Sequence, residues 1–227
     1  MTTLTDMPLA ALDLETTSAD PKNARIVTAS ICVIDGATVH TEEWLLNPGI
    51  PIPDDAAQIH GITTERAQAE GEPYDAGYTA IRDRLETLWA ADYLVAIMNA
   101  AFDLTIMDRE GQRLGQHPVV VGPVFDPFVV DRAIDKYRRG KRTLAALCEH
   151  YGLRQDDAHQ ATGDALAAAR LAYKLLRAPA LASIADTETL MVSQTAWHRE
   201  RQTDFIQYRM RNNLPTDDIN VQWPVAR

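Results

Sequence analysis

Two carboxylates stand at the end of an apolar run near the start of the chain. Residues 8–14 read PLAALDL and have the length of a buried strand, and Asp13 and Glu15 lie at its end. Side chains two positions apart on a strand point to the same face, so the two carboxylates would lie side by side. A divalent cation would relieve their repulsion, and oxygen ligands suit Mg²⁺ or Mn²⁺. A strand end with two solvated acids explains the same residues about equally well.

Three further polar side chains occupy positions where chemistry could use them. Asp103 follows the apolar run Leu94–Met98, which predicts a strand, and lies at the start of a helix. In α/β sheets, binding sites gather at the carboxyl ends of strands. His159 lies in a polar loop, and Asp164 follows five residues later on an otherwise apolar helix face. A carboxylate on such a face needs a partner, which an arginine, a helix N-terminus or a metal could supply.

The elements that must position these residues alternate between strands and helices. Ile26–Ile34 and Val39–Leu46 predict two strands that form an antiparallel meander with the first. Pro51 and Pro53 predict an extended segment after them. Further elements are predicted as helices over 78–91, 100–113, 144–151 and 161–177, a fifth strand around 124–126, a helix beginning at Pro127 and another from Thr189 onward, with 214–227 as an extended or mobile tail.

Composition and charge limit the class of protein. The 227 residues are 46% hydrophobic and 24% charged, which is enough for one well-filled core. The formal net charge of −10 argues against coating nucleic acid by bulk electrostatics, but it allows an enzyme that holds a strand locally. Cys32 and Cys148 lie in apolar patterns typical of reduced core residues. Without an apolar run of membrane-spanning length or a basic leader, we expect a soluble cytoplasmic protein.

Two other segments allow more than one interpretation. His60 and Gly61 form a pair between isoleucines, which favours a helix C-terminus with a packed histidine over the wall of a pocket. The segment Lys136–Arg142 places five basic residues in seven positions. A solvated loop between two helices and a loop that contacts phosphates are equally good explanations of that segment.

Taken together, these motifs resemble those of the DEDDh (DnaQ-like) 3′–5′ exonucleases, which include the epsilon proofreading subunit of bacterial DNA polymerase III. The matching segments are LDLETT at residues 12–17, NAAFD at residues 99–103, and His159 with Asp164. The five-residue step from His159 to Asp164 matches the histidine branch of the family, because Gln160 stands where the tyrosine branch has tyrosine. The resemblance extends over about residues 8–177.

The resemblance implies a ribonuclease-H-like α/β fold with a five-stranded mixed sheet flanked by helices. It implies two Mg²⁺ or Mn²⁺ ions held by four carboxylates, and His159 as the general base. It also implies that four other residues contact the terminal nucleotide, with His60 as part of the pocket wall. The implied metal ligands are Asp13, Glu15, Asp103 and Asp164, and the implied nucleotide contacts are Thr16, Thr17, His60 and Phe102.

The resulting expectation is an exonuclease domain over residues 1–178, followed by a helical extension and tail over 179–227. The expected substrate is the 3′ end of single-stranded or frayed DNA, from which nucleoside 5′-monophosphates are released in proofreading or repair. A DNA polymerase is a possible partner, and no membrane is involved. An RNA-trimming exoribonuclease of the same fold and a polymerase-binding scaffold with little activity are the alternatives. Sequence does not determine the oligomeric state.

Overall fold

A mixed sheet lies at the centre of the structure, a computed structural model that describes residues 3–36, 38–154 and 161–227. Within these residues the strands are β1 (Leu9–Thr16), β2 (Ile26–Asp35), β3 (Thr38–Leu45), β4 (Leu94–Ile97) and β5 (Val124–Phe125). Their order in the sheet is β3-β2-β1-β4-β5. The first three strands form the antiparallel meander, and β4 and β5 extend the sheet in parallel with β1. The five-stranded mixed sheet is confirmed.

Helices cover both faces of this sheet. In the described residues they are α1 (Asp54–His60), α2 (Thr64–Glu70), α3 (Tyr74–Ala90), α4 (Ala100–Arg113), α5 (Pro127–Ile134), α6 (Leu144–Tyr151), α7 (Ala161–Leu176) and α8 (Thr187–Arg211). None of them is both long enough and apolar enough to cross a lipid bilayer. Most predicted elements are present with bounds that differ by a few residues.

The segment after Pro53 differs from its prediction, because α1 begins directly at Asp54 instead of continuing as extended chain. Pro53 itself has extended backbone angles, so it ends the extended segment and precedes the helix. Asp54 and Asp55 occupy the first turn of α1, where negative charge interacts favourably with the helix dipole. The prolines therefore mark the start of the helix whose C-terminus the His60-Gly61 pair predicted.

The alternation of side chains along β1 divides the core into two parts. Ala10, Leu12 and Leu14 pack into the core shared with α3 and α4. Leu9 and Ala11 pack into the core shared with α7 on the opposite face of the sheet. Strand geometry places Asp13 and Glu15 on the side of Leu9 and Ala11, which faces α7.

The last part of the chain packs against the same two cores. Leu190 of α8 is fully buried in the α7 core, and Trp223, from the segment after α8, is buried in the α3–α4 core. The segment has neither helix nor strand, as expected, but its backbone is attached to α4, because Ala226 N donates to Thr105 Oγ1 at 2.8 Å. The division of the chain at residue 178 remains a prediction.

Candidate active site

Three of the predicted ligands converge at the end of β1. One carboxylate oxygen from each of Asp13, Glu15 and Asp164 lies within 4.8 Å of the others, and all three residues are half-buried. Asp164 lies on the first turn of α7, and this helix packs directly on β1 and β2. Its buried surface consists largely of alanine and glycine, including Gly163 and Ala165, which allow the helix to approach the sheet closely.

The fourth predicted ligand, Asp103, lies beside this group. It is buried on the first turn of α4, the helix that follows the carboxyl end of β4. Because β4 runs parallel to β1, the ends of both strands meet at one edge of the sheet. Asp103 is outside the set of three that approach one another within 4.8 Å, yet its charge is the strongest of the neighbouring charges that act on Asp13.

The electrostatics of the site favour a bound cation. Burial, followed by the charges of Asp103, Glu15 and Asp164, raises the pKa of Asp13 well above its usual range. Burial, with the charge of Asp164, raises the pKa of Glu15 to about 7. Burial also raises the pKa of Asp103, although hydrogen bonds with the backbone of Asp103 and Leu14 lower it in part. Three carboxylates that resist ionisation, clustered with the carboxylate of Asp164, are a donor set that fits hard divalent cations.

Asp126 holds the start of α4 in place, and the sequence analysis did not identify this role. Its side chain is completely buried between β5 and α5. Burial raises the pKa of Asp126 to about 6, and hydrogen bonds counteract this rise. Among the described residues, its carboxylate accepts five hydrogen bonds of 3.0–3.3 Å. The donors are the backbone N–H groups of Asn99, Ala100, Phe128 and Val129 and the indole N–H of Trp223. The Asp-Pro pair that opens α5 is the sequence signal for this cap.

A pocket of 520 Å³ opens beside Glu15 and has His60 and Trp44 in its wall. The sequence allowed two positions for His60, the end of a helix and the wall of a pocket, and in the structure His60 occupies both. His60 is the last residue of α1, while Gly61 provides the left-handed C-cap with φ of 75°. His60 Nδ1 accepts from the backbone N–H of Ile62, and its buried Nε2 has no hydrogen-bond partner among the described residues. Trp44 was not identified from sequence.

The side chains of the other predicted nucleotide contacts, Thr16, Thr17 and Phe102, already make contacts within the protein. The Thr16 hydroxyl donates to Ser18 O at 2.9 Å, and the Thr17 hydroxyl accepts from Arg25 N at 3.0 Å. Both hydroxyls therefore stabilise the connection between β1 and β2. Phe102 is half-buried and packs against the α3–α4 core. The nucleotide-binding roles of Thr16, Thr17 and Phe102 remain predictions.

The predicted general base, His159, lies outside the described residues. The structure describes the chain up to Arg154 and again from Ala161. Ala161 begins α7 and lines the pocket that contains His60, so the described chain resumes next to the site. The role of His159 remains a prediction.

The basic segment Lys136–Arg142 is mostly neutralised within the protein. Arg138 and Arg142 both form ion pairs with the fully buried Asp131, which also accepts a hydrogen bond from the Tyr151 hydroxyl at 2.8 Å. Lys136 pairs with Glu200 and Asp204 of α8. Only Arg139 and Lys141 of the five cations lack a carboxylate partner among the described residues. Most of this segment therefore stabilises the fold, which weakens its interpretation as a phosphate-binding loop.

The family model RNase_T, described as Exonuclease, matches residues 10–172. The chain is 27% identical over 183 residues to a DNA polymerase III subunit epsilon-like protein of Rhodobacter capsulatus, covering 78% of this chain and 25% of the relative. It is 26% identical over 166 residues to a PolC-type DNA polymerase III of Bacillus subtilis, covering 73% of this chain and 11% of the relative. The chain thus spans a quarter or less of the length of these relatives.

The fold is also similar to that of solved structures. Escherichia coli exonuclease I in complex with a dT13 oligonucleotide matches with a TM-score of 0.61 and 20% identity. The match covers 85% of this chain and 44% of the exonuclease I chain. At this level of identity the likeness supports the ribonuclease-H-like fold alone.

Proposed function

The chain belongs to the exonuclease family, and on this premise we propose that it is a metal-dependent 3′–5′ exonuclease acting on DNA. The reaction would hydrolyse the last phosphodiester bond of a 3′ end and release a nucleoside 5′-monophosphate. The observation that carries the proposal is the approach of Asp13, Glu15 and Asp164 within 4.8 Å, with Asp103 beside them. Such a set of carboxylates is costly without positive charge and suits a reaction at a phosphate.

The carboxylates would hold two Mg²⁺ or Mn²⁺ ions through Asp13, Glu15, Asp103 and Asp164. When bound, divalent ions supply Lewis-acid stabilisation of the charge that develops on the phosphate and on the leaving oxygen. Asp13 and Glu15 are fixed by strand pairing and Asp103 by the capped start of α4, so the ligands come from rigid elements. His159 would accept the proton of the attacking water, since a histidine of ordinary pKa near 6.5 is a base at neutral pH.

The pocket beside Glu15 would receive the terminal nucleoside. Trp44 offers an aromatic surface for a base, and stacking on such a surface contributes about 1–3 kcal/mol per base. His60 Nε2 has no partner in the described protein and would donate to the nucleotide. Desolvation lowers the pKa of His60, and the backbone of Thr16 opposes this less strongly, so the ring stays neutral and its Nδ1 can accept from Ile62.

The biological setting forms part of the proposal. The epsilon-like and PolC-type relatives suggest that this chain acts with a DNA polymerase in proofreading or repair. Cys32 and Cys148 are free and buried, which fits the reducing cytoplasm.

The decisive experiment compares three 5′-labelled substrates, single-stranded DNA, duplex DNA and RNA, in Mg²⁺, Mn²⁺ and EDTA. We expect shortening from the 3′ end, nucleoside 5′-monophosphate as product, a preference for DNA and no reaction in EDTA. Asp13→Asn should abolish cleavage, and Asp217→Asn, at an exposed position after α8, is the matched control. A preference for RNA would instead identify an exoribonuclease. Absence of cleavage of all three substrates by the folded wild type would contradict the proposal and favour a scaffold.

A further inference from the structure

A second groove lies between α5 and α8, away from the pocket that contains His60. It has a volume of 450 Å³ and is lined by residues that include Asn99, Phe128, Arg132, Arg201 and Phe205. Asn99 connects this groove to the candidate active site, because it is the N-cap of α4 and stands four residues before Asp103. The groove therefore begins at the same edge of the sheet as the carboxylates. Its α8 wall lies beyond residues 10–172, which the family model covers.

Two arginines in the groove have no carboxylate partner among the described residues. The Arg132 guanidinium lies 4.6 Å from the ring centre of Phe128, and its buried Nε makes no hydrogen bond there. The Arg201 guanidinium lies 4.8 Å from the ring centre of Phe205. An arginine that rests on an aromatic ring does not use its N–H donors in that contact, so these donors are free to bind an anion.

The environment of these arginines is unfavourable for positive charge. Burial, followed by the neighbouring charges of Arg201 and Arg142, lowers the pKa of Arg132 to about 10, and the charge of Asp131 opposes this only in part. Burial also lowers the pKa of Arg201. The negative charge of Asp204 opposes this lowering, and the positive charge of Arg142 adds to it. A bound anion would relieve both the repulsion and the loss of hydration.

The carboxylates at the rim of the groove are already paired. Glu200 Oε1 lies 2.8 Å from Lys136 Nζ, and Asp204 Oδ2 lies 3.6 Å from the same atom. These three side chains are about half exposed or more, whereas Arg132 and Arg201 are partly buried. The groove thus has two acids that share one lysine at its rim and two arginines deeper inside, so these five side chains carry one net positive charge.

We propose that the α5–α8 groove binds the phosphodiester backbone of the nucleic acid strand whose 3′ end occupies the carboxylate site. This inference rests on the proposed function, since it concerns the same substrate several nucleotides away from the cleaved bond. Guanidinium groups match phosphate oxygens in charge and geometry, and Phe128 and Phe205 provide aromatic edges for unpaired bases. The site also explains how a chain of net charge −10 attracts a polyanion without the neutralised segment Lys136–Arg142.

The test compares a long and a small substrate. Arg132→Gln/Arg201→Gln removes both groove charges, and Arg199→Gln removes one exposed charge from α8 outside the groove lining. With a 16-nucleotide DNA strand, the double variant should raise KM about 10-fold or more, and its kcat/KM should depend less steeply on salt, by about 0.7 in log–log slope per lost phosphate contact. The p-nitrophenyl ester of thymidine 5′-monophosphate has no further phosphodiester for the groove to bind, so its kcat/KM should stay within about 2-fold.

One further variant, a check of folding and a binding measurement complete the test. Arg132→Lys/Arg201→Lys keeps both charges and should keep the wild-type salt dependence, and thermal melting checks that each variant is folded. If the double glutamine variant and Arg199→Gln have the same KM for the long strand, the proposal that the groove binds the strand is wrong. If the wild type cleaves neither substrate, the proposed function fails, and fluorescence anisotropy of the labelled strand in EDTA then decides the groove separately. Equal affinities of these two variants in that titration would also overturn it.

Discussion

Asp126 Oδ1 accepts the backbone N–H of Asn99 at 3.0 Å, although the two residues are 27 positions apart in the chain. Asn99 adopts a left-handed conformation with φ of 61°, which asparagine tolerates better than most residues, and its own side chain does not cap α4. Asp126 therefore serves as the N-terminal cap of α4 in addition to that of α5. The helix that carries Asp103 is held by a buried carboxylate from another part of the chain.

Asp126→Asn should lower the free energy of unfolding by about 3 kcal/mol, which urea denaturation measures. The amide would replace one oxygen, which accepts hydrogen bonds, with an NH₂ group, which only donates, so N–H donors would face another donor. Trp223→Phe is the matched milder change, because it removes one of the five donors and keeps an aromatic ring; it should cost about 1 kcal/mol. Equal stability of Asp126→Asn and the wild type would contradict the role of the carboxylate.

The metal-free protein should become less stable as the pH rises from 5 to 8. The pKa of Glu15 is about 7 in the folded protein, against an ordinary value of 4.5, so between these values the folded state holds more protons than the unfolded state. Stability from this group is therefore lost as the pH rises through that window. Glu15→Gln should reduce the loss of Tm across this range by a few degrees, since about 2–4 °C corresponds to 1 kcal/mol in a domain of this size.

Glu149→Gln, at an exposed position on α6, is the control for this measurement. Added Mn²⁺ at pH 8 should raise the Tm of the wild type more than that of Glu15→Gln. Parallel curves of Tm against pH for the two variants would show that the carboxylate cluster is not responsible.

His198 should have the opposite dependence on pH. Burial lowers the pKa of His198, whose Nε2 atom lies 3.2 Å from the carbonyl oxygen of Asn220. Below about pH 6.5 the unfolded chain takes up a proton that the folded protein resists, so this group destabilises the fold as the pH falls. Replacing His198 with Gln should make the stability less sensitive to pH between 7 and 5, whereas His40→Gln, at an exposed position on β3, should not. Denaturation curves at several pH values measure this, and identical sensitivity in both variants would refute it.

Removal of His159 should slow catalysis without removing the metal ligands. Loss of a general base lowers turnover by about 10²–10⁴, so we expect a decrease of this size in kcat for His159→Ala. Stabilisation by Mn²⁺ should be largely retained, because the four carboxylates remain. His40→Ala is the control, and unchanged turnover of His159→Ala from pH 6 to 9 would exclude this role.

The basic segment should influence folding more than binding. Arg142 is buried and forms an ion pair with the fully buried Asp131, so Arg142→Gln should lower the free energy of unfolding by about 3 kcal/mol. Arg139→Gln removes an exposed charge from the same segment and should change stability by less than about 0.5 kcal/mol. Urea denaturation of both variants checks this, and equal midpoints would contradict the structural role of Arg142.

The sequence by itself determined the sheet and the place of the carboxylates. Asp13 and Glu15 follow an apolar strand pattern, and Asp103 follows another strand, so local periodicity alone placed them at strand ends. Packing of α7 on β1 then required only that an alanine-rich helix cover the face on which Asp13 and Glu15 lie. These features were predictable because each depends on patterns within a short stretch of chain.

Tertiary structure decided which polar side chains pair with each other. Asp126 caps the helix that carries Asp103, and Asp131 pairs with Arg138 and Arg142. Arg132 and Arg201 form no ion pair among the described residues and rest on aromatic rings instead. In sequence, all these arginines look alike, as members of basic or mixed stretches. Whether a charge stabilises the fold or remains available for a ligand depends on partners far away in the chain, because the energy of an ion pair depends on distance and burial rather than on composition.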